Sequence, residues 1–279
     1  MKLRSSVMNE DMISSAELSR AACCNLGESF VTNPSVDVSY SDAATGAKQI
    51  KLLGLSGTYV QMLTENIPNY RGAAAPYGLG YVPGPWMQSI QVSKGTSSVK
   101  NGYEAITGQI NVEFKKPQLP EADWVSANLF ASTTNRYEAN ADATLKLSKR
   151  WSTSLLAHYE NETKAHDGND DGFVDIPQVE QYNVWNRWAY MGDHYVFQAG
   201  IKALSETRTS GQANHGGTMH SGDLYKVGID TERYEFFTKN AYIFNKEKNT
   251  NLALILSTTL HNQDATYGRK LYNVDQTNV

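Results

Sequence analysis

Residues 166–177 read HDGNDDGFVDIP, and their types and spacing are those of a cation-binding turn. Asp167, Asn169, Asp171 and Gly172 fall on positions 1, 3, 5 and 6 of an EF-hand calcium loop, and Asp175 falls on position 9. In this scheme Asp167, Asn169, Asp171 and Asp175 offer side-chain oxygens, Phe173 a backbone carbonyl, and Gly172 the sharp turn, while Asp170 has no role. Oxygen-only ligands favour a hard ion, so calcium is the expected cofactor. Position 12, where a bidentate Glu belongs, is Gln178 after Pro177. No Lys or Arg lies between residues 165 and 178, so the carboxylates repel unless a cation or a splayed, solvated loop separates them. Both readings stay open on sequence.

Two further stretches carry chemistry. NYRGAAAPYGLGYVPGPW sets Tyr70, Arg71, Tyr77, Tyr81 and Trp86 in a Gly- and Pro-rich loop. Exposed aromatics around one guanidinium suit contact with a large amphipathic solute; the same tyrosines would equally serve to seal one domain against another. NHGGTMHSGD holds His215, Met219 and His220, which a soft or borderline metal would accept if the loop fixed them, or which simply form a loop surface. The chain has no GxSxG, HExxH or phosphate loop and no credible Ser–His–Asp spacing, so the expectation is a non-enzyme.

The elements around these residues follow two grammars. The chain has 279 residues, 40% hydrophobic and 10% aromatic, with 16 Tyr and 5 Trp, enough for one large or two ordinary domains. The net charge of −4 is spread along the chain with no basic tract, which argues against a nucleic-acid partner. The two cysteines, Cys23 and Cys24, are adjacent and read as small buried side chains. No run of about 18 apolar residues predicts a membrane helix.

Residues 1–117 mix short elements: a helix after Ser14 and Ser15 with Glu17 placed for a capping box, running through Leu18 towards Leu26, then short strands broken by Gly54 and Gly57, and a closing strand–turn–strand. From about residue 121, seven segments of roughly ten to thirteen residues alternate in polarity, the length of a tilted bilayer-crossing strand. In RYEANADATLKLS one face is Tyr137, Ala139, Ala141, Ala143, Leu145 and Leu147; the other is Glu138, Asn140, Asp142, Thr144 and Lys146. The faces of RYEFFTKNAYIFN are not assignable from the pattern. Short connectors alternate with long ones at 163–178, 207–232 and from about 262, and Trp151, Tyr159, Tyr195 and Tyr242 sit where an aromatic girdle would be. The alternative for these strands is a soluble, calcium-dependent β-sandwich binding or adhesion module.

The stretches LGESFVTNPSVDVS, IKLLGLSGTYVQMLTENIP and IQVSKGTSSVKNGYEAITGQINVEFKK together resemble the plug domain of TonB-dependent outer-membrane receptors, particularly those of the Bacteroides group. Leu53–Gly54 departs from the more usual Arg–Gly. The resemblance implies an α+β plug over residues 1–117, followed over residues 118–279 by antiparallel transmembrane strands, a partial and open β-barrel of about seven strands. It implies uptake of a scarce solute such as a siderophore, haem or cobalamin. It also implies the TonB protein as energy-transducing partner, outer-membrane lipid around the wall, and Tyr70, Arg71, Tyr77, Tyr81 and Trp86 as ligand contacts. The glycines Gly95, Gly102 and Gly108 would allow the plug's last turns.

The opening MKLRSSVMNEDMISS has no apolar core and is not a signal peptide, so the chain is expected to begin downstream of a longer protein's start. Seven strands would leave two unpaired edges in lipid, so a chain of this extent is expected to be unable to transport on its own.

Overall fold

The computed structural model describes residues 9–21, 24–30, 33, 36–95, 104–117, 124–213, 224–246 and 250–279. The chain divides into two compact units, Met1–Lys115 and Lys116–Val279.

In the first unit, β1 (Asn9–Ser14) leads into α1 (Ser15–Ala21), then β2 (Asp37–Asp42), β3 (Ala47–Lys51), β4 (Val60–Thr64), β5 (Ile67–Pro68), β6 (Met87–Lys94) and β7 (Gly108–Phe114). Five of these form one sheet in the order β1-β6-β7-β4-β5, with β2 and β3 a separate hairpin. β4 runs parallel to β7, Val60 opposite Gly108, whereas β6 and β7 are antiparallel. The alternation of Ile90 and Val92 with polar neighbours, met by Ile110, Val112 and Phe114 across the ladder, buries one continuous apolar layer. Leu26, Phe30, Leu52, Leu63 and Trp86 complete it.

The capping residue falls where the sequence places it: Glu17 Oε2 accepts the Ser14 N–H at 2.7 Å and the Ser14 hydroxyl at 2.8 Å. Those two hydrogen bonds, the backbone one first, hold the Glu17 carboxyl below its ordinary range. The helix is described over Ser15–Ala21, and Asn25, which the periodicity would place on its face, instead forms an isolated bridge with Pro83. Strand β1 has no strong sequence signal, since NEDMIS is polar; pairing with β6 makes it a strand. Gly95 takes φ +88 directly after β6, while Gly102 and Cys23 lie outside the described residues.

The second unit is one antiparallel meander of eight strands: β8 (Trp124–Ala131), β9 (Tyr137–Lys146), β10 (Trp151–Glu162), β11 (Gln178–Met191), β12 (Tyr195–Gly211), β13 (Lys226–Asn245), β14 (Thr250–Tyr267) and β15 (Lys270–Asn278). β8 and β15 are its open edges. This corrects the sequence reading from seven strands to eight. β12, β13 and β14 run to 17, 20 and 18 residues. They continue into stretches that look like connectors, as at Glu206–Thr209, where both faces of β12 turn polar. The third long connector therefore does not exist: β14 passes through residue 262 to Tyr267 and turns at Gly268–Arg269 into β15.

The face assignment follows the sequence. Along β9, Glu138, Asn140, Asp142 and Thr144 are buried, while Tyr137, Ala141 and Leu145 are exposed. The exposed face carries Leu155, Val184, Ile201, Phe236, Leu254, Leu256 and Leu260. Aromatics crowd it towards the short-turn end, where Trp151 lies 5.1 Å from Tyr190 and 6.1 Å from Phe197, and again towards the other end, where Tyr159 lies 4.9 Å from Tyr182. β13, ambiguous by pattern, buries Arg233 and Phe237 and exposes Tyr234 and Phe236. An apolar exposed face over a buried, charged one is the reverse of a soluble sandwich, and no second sheet stacks on this one among the described strands of the unit.

Candidate functional site

Three places bring chemically active side chains together. The first is in the N-terminal unit. Tyr70, Tyr77, Tyr81 and Trp86 are 4%, 6%, 0% and 0% exposed, which corrects their expected exposure. The Gly/Pro-rich loop folds inward through short helical turns at Gly72–Ala74 and Gly84–Trp86, and its aromatics are part of the unit's core. Tyr70 packs on Tyr81 with ring centroids 6.4 Å apart. Arg71 alone of the five stays accessible, its Nη1 3.4 Å from Glu104 Oε1 with both side chains more than a third exposed. A cavity of about 480 Å³ opens here, lined among others by Tyr70, Arg71, Glu104, Lys48 and Asn69. An ion pair this accessible is worth at most about 1 kcal/mol, so an anionic ligand can displace Glu104 from Arg71 at little cost.

The second is the acidic turn between β10 and β11. Asp167, Asn169, Asp171 and Asp175 do come together, with Asp170 at φ +57 and Gly172 at φ +83 making the bend. Asp167 Oδ1 accepts the Asp171 N–H at 3.2 Å and its Oδ2 the Gly172 N–H at 2.8 Å. Asp171 Oδ1 accepts the Phe173 N–H at 2.8 Å, its Oδ2 the Asn169 amide at 3.0 Å, and Asp175 Oδ2 the Gly168 N–H at 2.7 Å. Gln178, at the twelfth position, turns away from the bend: its Nε2 donates to the Thr163 carbonyl and its Oε1 accepts the Thr209 hydroxyl. The side-chain oxygens suit calcium by type, but the set fits incompletely. The closing ligand is missing, and among the described residues no group of three or more His, Cys, Asp or Glu is placed to hold a metal ion. The turn is also tied to the next loop: Phe173 bridges Gln212, Val174 N–H donates to the Gly211 carbonyl at 2.9 Å, and Ala213 N–H to the Gly172 carbonyl at 2.8 Å. His215, Met219 and His220 lie outside the described residues.

The third is the buried face of the eight-stranded sheet, whose pairings the sequence did not disclose. Glu138 and Glu160 are direct cross-strand partners, an arrangement like charges resist, and Arg136 spans them at 2.7 and 3.1 Å. His158 Nδ1 lies 2.8 Å from Asn140 Oδ1, the next pair along the same ladder. Further round, Glu235 is met by Arg233 at 2.8 Å and by its cross-strand partner Lys202 at 3.5 Å. Glu206 is met by Arg208 at 3.0 Å and by the Gln181 amide at 2.7 Å. Alternation shows that these residues share a face; only the register shows which charges meet.

A mixed α+β unit is followed by long antiparallel strands with an apolar exposed face and a charged buried one. Residues 2–109 match the family model described as the TonB-dependent Receptor Plug Domain. The fold matches the ferric-catecholate import receptor Fiu from K12 E. coli in its closed form, with TM-score 0.69 and 15% identity over 98% of this chain and 42% of that one. It matches the siderophore receptor PiuA from Acinetobacter baumannii with TM-score 0.68 and 13% identity, over 92% and 37% respectively. For the ferripyoverdine receptor of the outer membrane of Pseudomonas aeruginosa the values are 0.63 and 12%, over 100% and 45%. At these identities the likeness is one of fold, and the chain spans less than half the length of each of these receptors. No curated protein matches the sequence. Residues 2–109 thus match a plug-domain model, and the antiparallel sheet that follows corresponds in fold to part of such a receptor's barrel.

Proposed function

We propose that this chain belongs to an outer-membrane receptor that takes up a scarce solute by TonB-dependent active transport, and that its role is binding and passage rather than catalysis. The observation that carries the reading is the pairing, in one chain, of a plug domain with a sheet whose exposed face is apolar and girdled by aromatics and whose opposite face carries paired charges. An apolar exposed face of this extent is favourable in lipid, and Trp and Tyr rows suit the level where headgroups begin. Charged pairs on the other face suit a lumen through which a polar solute moves. In this reading the short turns at 147–150 and 192–194 face the periplasm, and the loop end carrying the acidic turn faces outward. TonB is the proposed partner, and the Bacteroides-type group is the proposed subfamily.

The substrate class named for the structural neighbours, iron-loaded siderophores, is one member of the proposed set, together with haem and cobalamin. Arg71, beside its cavity, is the proposed plug contact for an anionic group of the solute. The test is to express the gene with its native flanking sequence and fractionate the cells, then measure solute uptake with and without a functional TonB. Recovery in the outer membrane with TonB-dependent uptake is expected; a soluble, monomeric product would overturn the reading.

A further inference from the structure

Two tyrosines at the loop end of the exposed face share one carboxylate. Tyr159 of β10 and Tyr182 of β11 are direct cross-strand partners, with ring centroids 4.9 Å apart and planes at 42°. Glu180 lies two residues from Tyr182, on the same face of β11. Its Oε1 accepts the Tyr159 hydroxyl at 3.2 Å and the Tyr182 hydroxyl at 3.0 Å. Asn161, the cross-strand partner of Glu180, donates its amide to the Tyr159 oxygen at 3.1 Å. Both phenol oxygens, and with them the ring carbons beside those oxygens, are thereby gathered around one acceptor.

The group is open to small solutes: Tyr182 is 54% exposed, and Tyr159 and Glu180 are half-buried. Two other tyrosine pairs of the sheet are wider, at 5.7 Å for Tyr267 and Tyr272 and 6.1 Å for Tyr190 and Tyr195. A phenol that loses one electron becomes a strong acid, so its oxidation is eased by a base already hydrogen-bonded to the hydroxyl. An ionised carboxylate is acceptor-only, and Glu180 stands at both hydroxyls.

We propose that Tyr159 and Tyr182 form an oxidative modification site, where a diffusible one-electron oxidant couples the two rings into a dityrosine that staples β10 to β11. Each ring gives one electron to an oxidant molecule and its hydroxyl proton to Glu180, which passes each proton in turn to water. The two phenoxyl radicals join through the ring carbons next to their oxygens. The hydrogens on those carbons then move to the oxygens and restore both phenols. In balance, one carbon–carbon bond forms, two oxidant molecules are each reduced by one electron, and two protons reach water. The staple closes the base of the 163–177 connector that carries the acidic turn. It depends on the register of β10 and β11 and not on the uptake reading.

The test exposes the full chain, folded in detergent, to hexachloroiridate(IV), a small one-electron oxidant whose reduction is followed by its colour. Peptide mapping by mass spectrometry should find a Tyr159–Tyr182 link, lighter than the separate peptides by two hydrogens, forming ahead of links at the two wider pairs. Tyr159→Phe and, separately, Tyr182→Phe keep the ring and remove the hydroxyl, and each should abolish that link. Glu180→Gln keeps an acceptor oxygen but cannot take a proton, so it should slow linking at least about tenfold at neutral pH. Added buffer base should restore the rate in that variant and leave the parent unchanged, which a purely spacing role for Glu180 would not produce. Heat-modifiable migration on gels checks that each variant folds. Consumption of the oxidant without a Tyr159–Tyr182 link, or linking no faster than at the two wider pairs, overturns the site. A Glu180→Gln protein that links as fast as the parent overturns the role of the carboxylate.

Discussion

Gly200 of β12 lies directly opposite Phe237 of β13, and a Cβ on it would stand 2.5 Å from Phe237 Cε1 and 2.7 Å from Trp185 Nε1. The missing side chain lets the Phe237 ring lie across the ladder, edge-on to Trp185 at 6.3 Å, with the Arg187 guanidinium 4.7 Å from the Trp185 ring. This aromatic and cation cluster packs on the buried face of the sheet.

Gly200→Ala is therefore expected to destabilise the sheet by about 1–3 kcal/mol through overpacking. Adding Phe237→Ala should recover part of that loss, because one of the two clash partners is gone while Trp185 Nε1 remains, so the two changes combine non-additively. Thermal loss of heat-modifiable migration reads both effects. Simple addition of the two single-variant losses would show that the Phe237 ring does not lie where the packing places it.

Arg136 neutralises two cross-strand carboxylates at once. Arg136→Ala leaves Glu138 and Glu160 facing each other in a buried setting, and a loss of about 3–5 kcal/mol is expected, as for any broken buried pair. Arg136→Lys should recover only part of it, since one ammonium cannot reach both carboxylates with the planar geometry of a guanidinium. Denaturant titration of the three proteins in detergent orders them; a lysine variant equal to the parent would contradict the bridging role.

At the start of α1 the prediction is a pH dependence. The Glu17 carboxyl titrates below its ordinary value because the charged form accepts the Ser14 N–H and hydroxyl. A depressed carboxylate supports the fold above its unfolded value, about 4.3 for Glu, and loses that support as pH falls through the lower folded value. Exchange of the Ser14 amide, corrected for the intrinsic rate, should therefore be slow and flat above that range and accelerate at acid pH. Glu17→Gln should exchange faster at neutral pH and lose the acid step; an unchanged step would assign it to another group.

The acidic turn is predicted to keep its shape without calcium, because Asp167 already occupies both its oxygens with the Asp171 and Gly172 amides. Chelation should leave the protection of those amides unchanged, whereas Asp167→Ala should expose them and also the Ala213 amide held by the Gly172 carbonyl. Calcium-dependent protection in the parent would instead establish the cofactor expected from the DxNxDG spacing.

Much of the wall was determined by sequence alone. Strict alternation in segments such as Tyr137–Leu147 assigns each side chain to a face, because a strand's period of two leaves no other arrangement. The capping role of Glu17 was equally local, since it depends only on a spacing of three residues. Element boundaries at the far ends of β12–β14 were not legible, because pairing with a neighbouring strand rather than polarity keeps those residues extended. Nor was the burial of Tyr70, Tyr77, Tyr81 and Trp86: a Gly- and Pro-rich loop reads as surface, and only the fold shows that its aromatics supply core area the short strands lack. The same holds for Arg136 between Glu138 and Glu160 and for Tyr159 and Tyr182 around Glu180. Local pattern sets what a residue can do, but register and packing between distant segments decide which partner it meets.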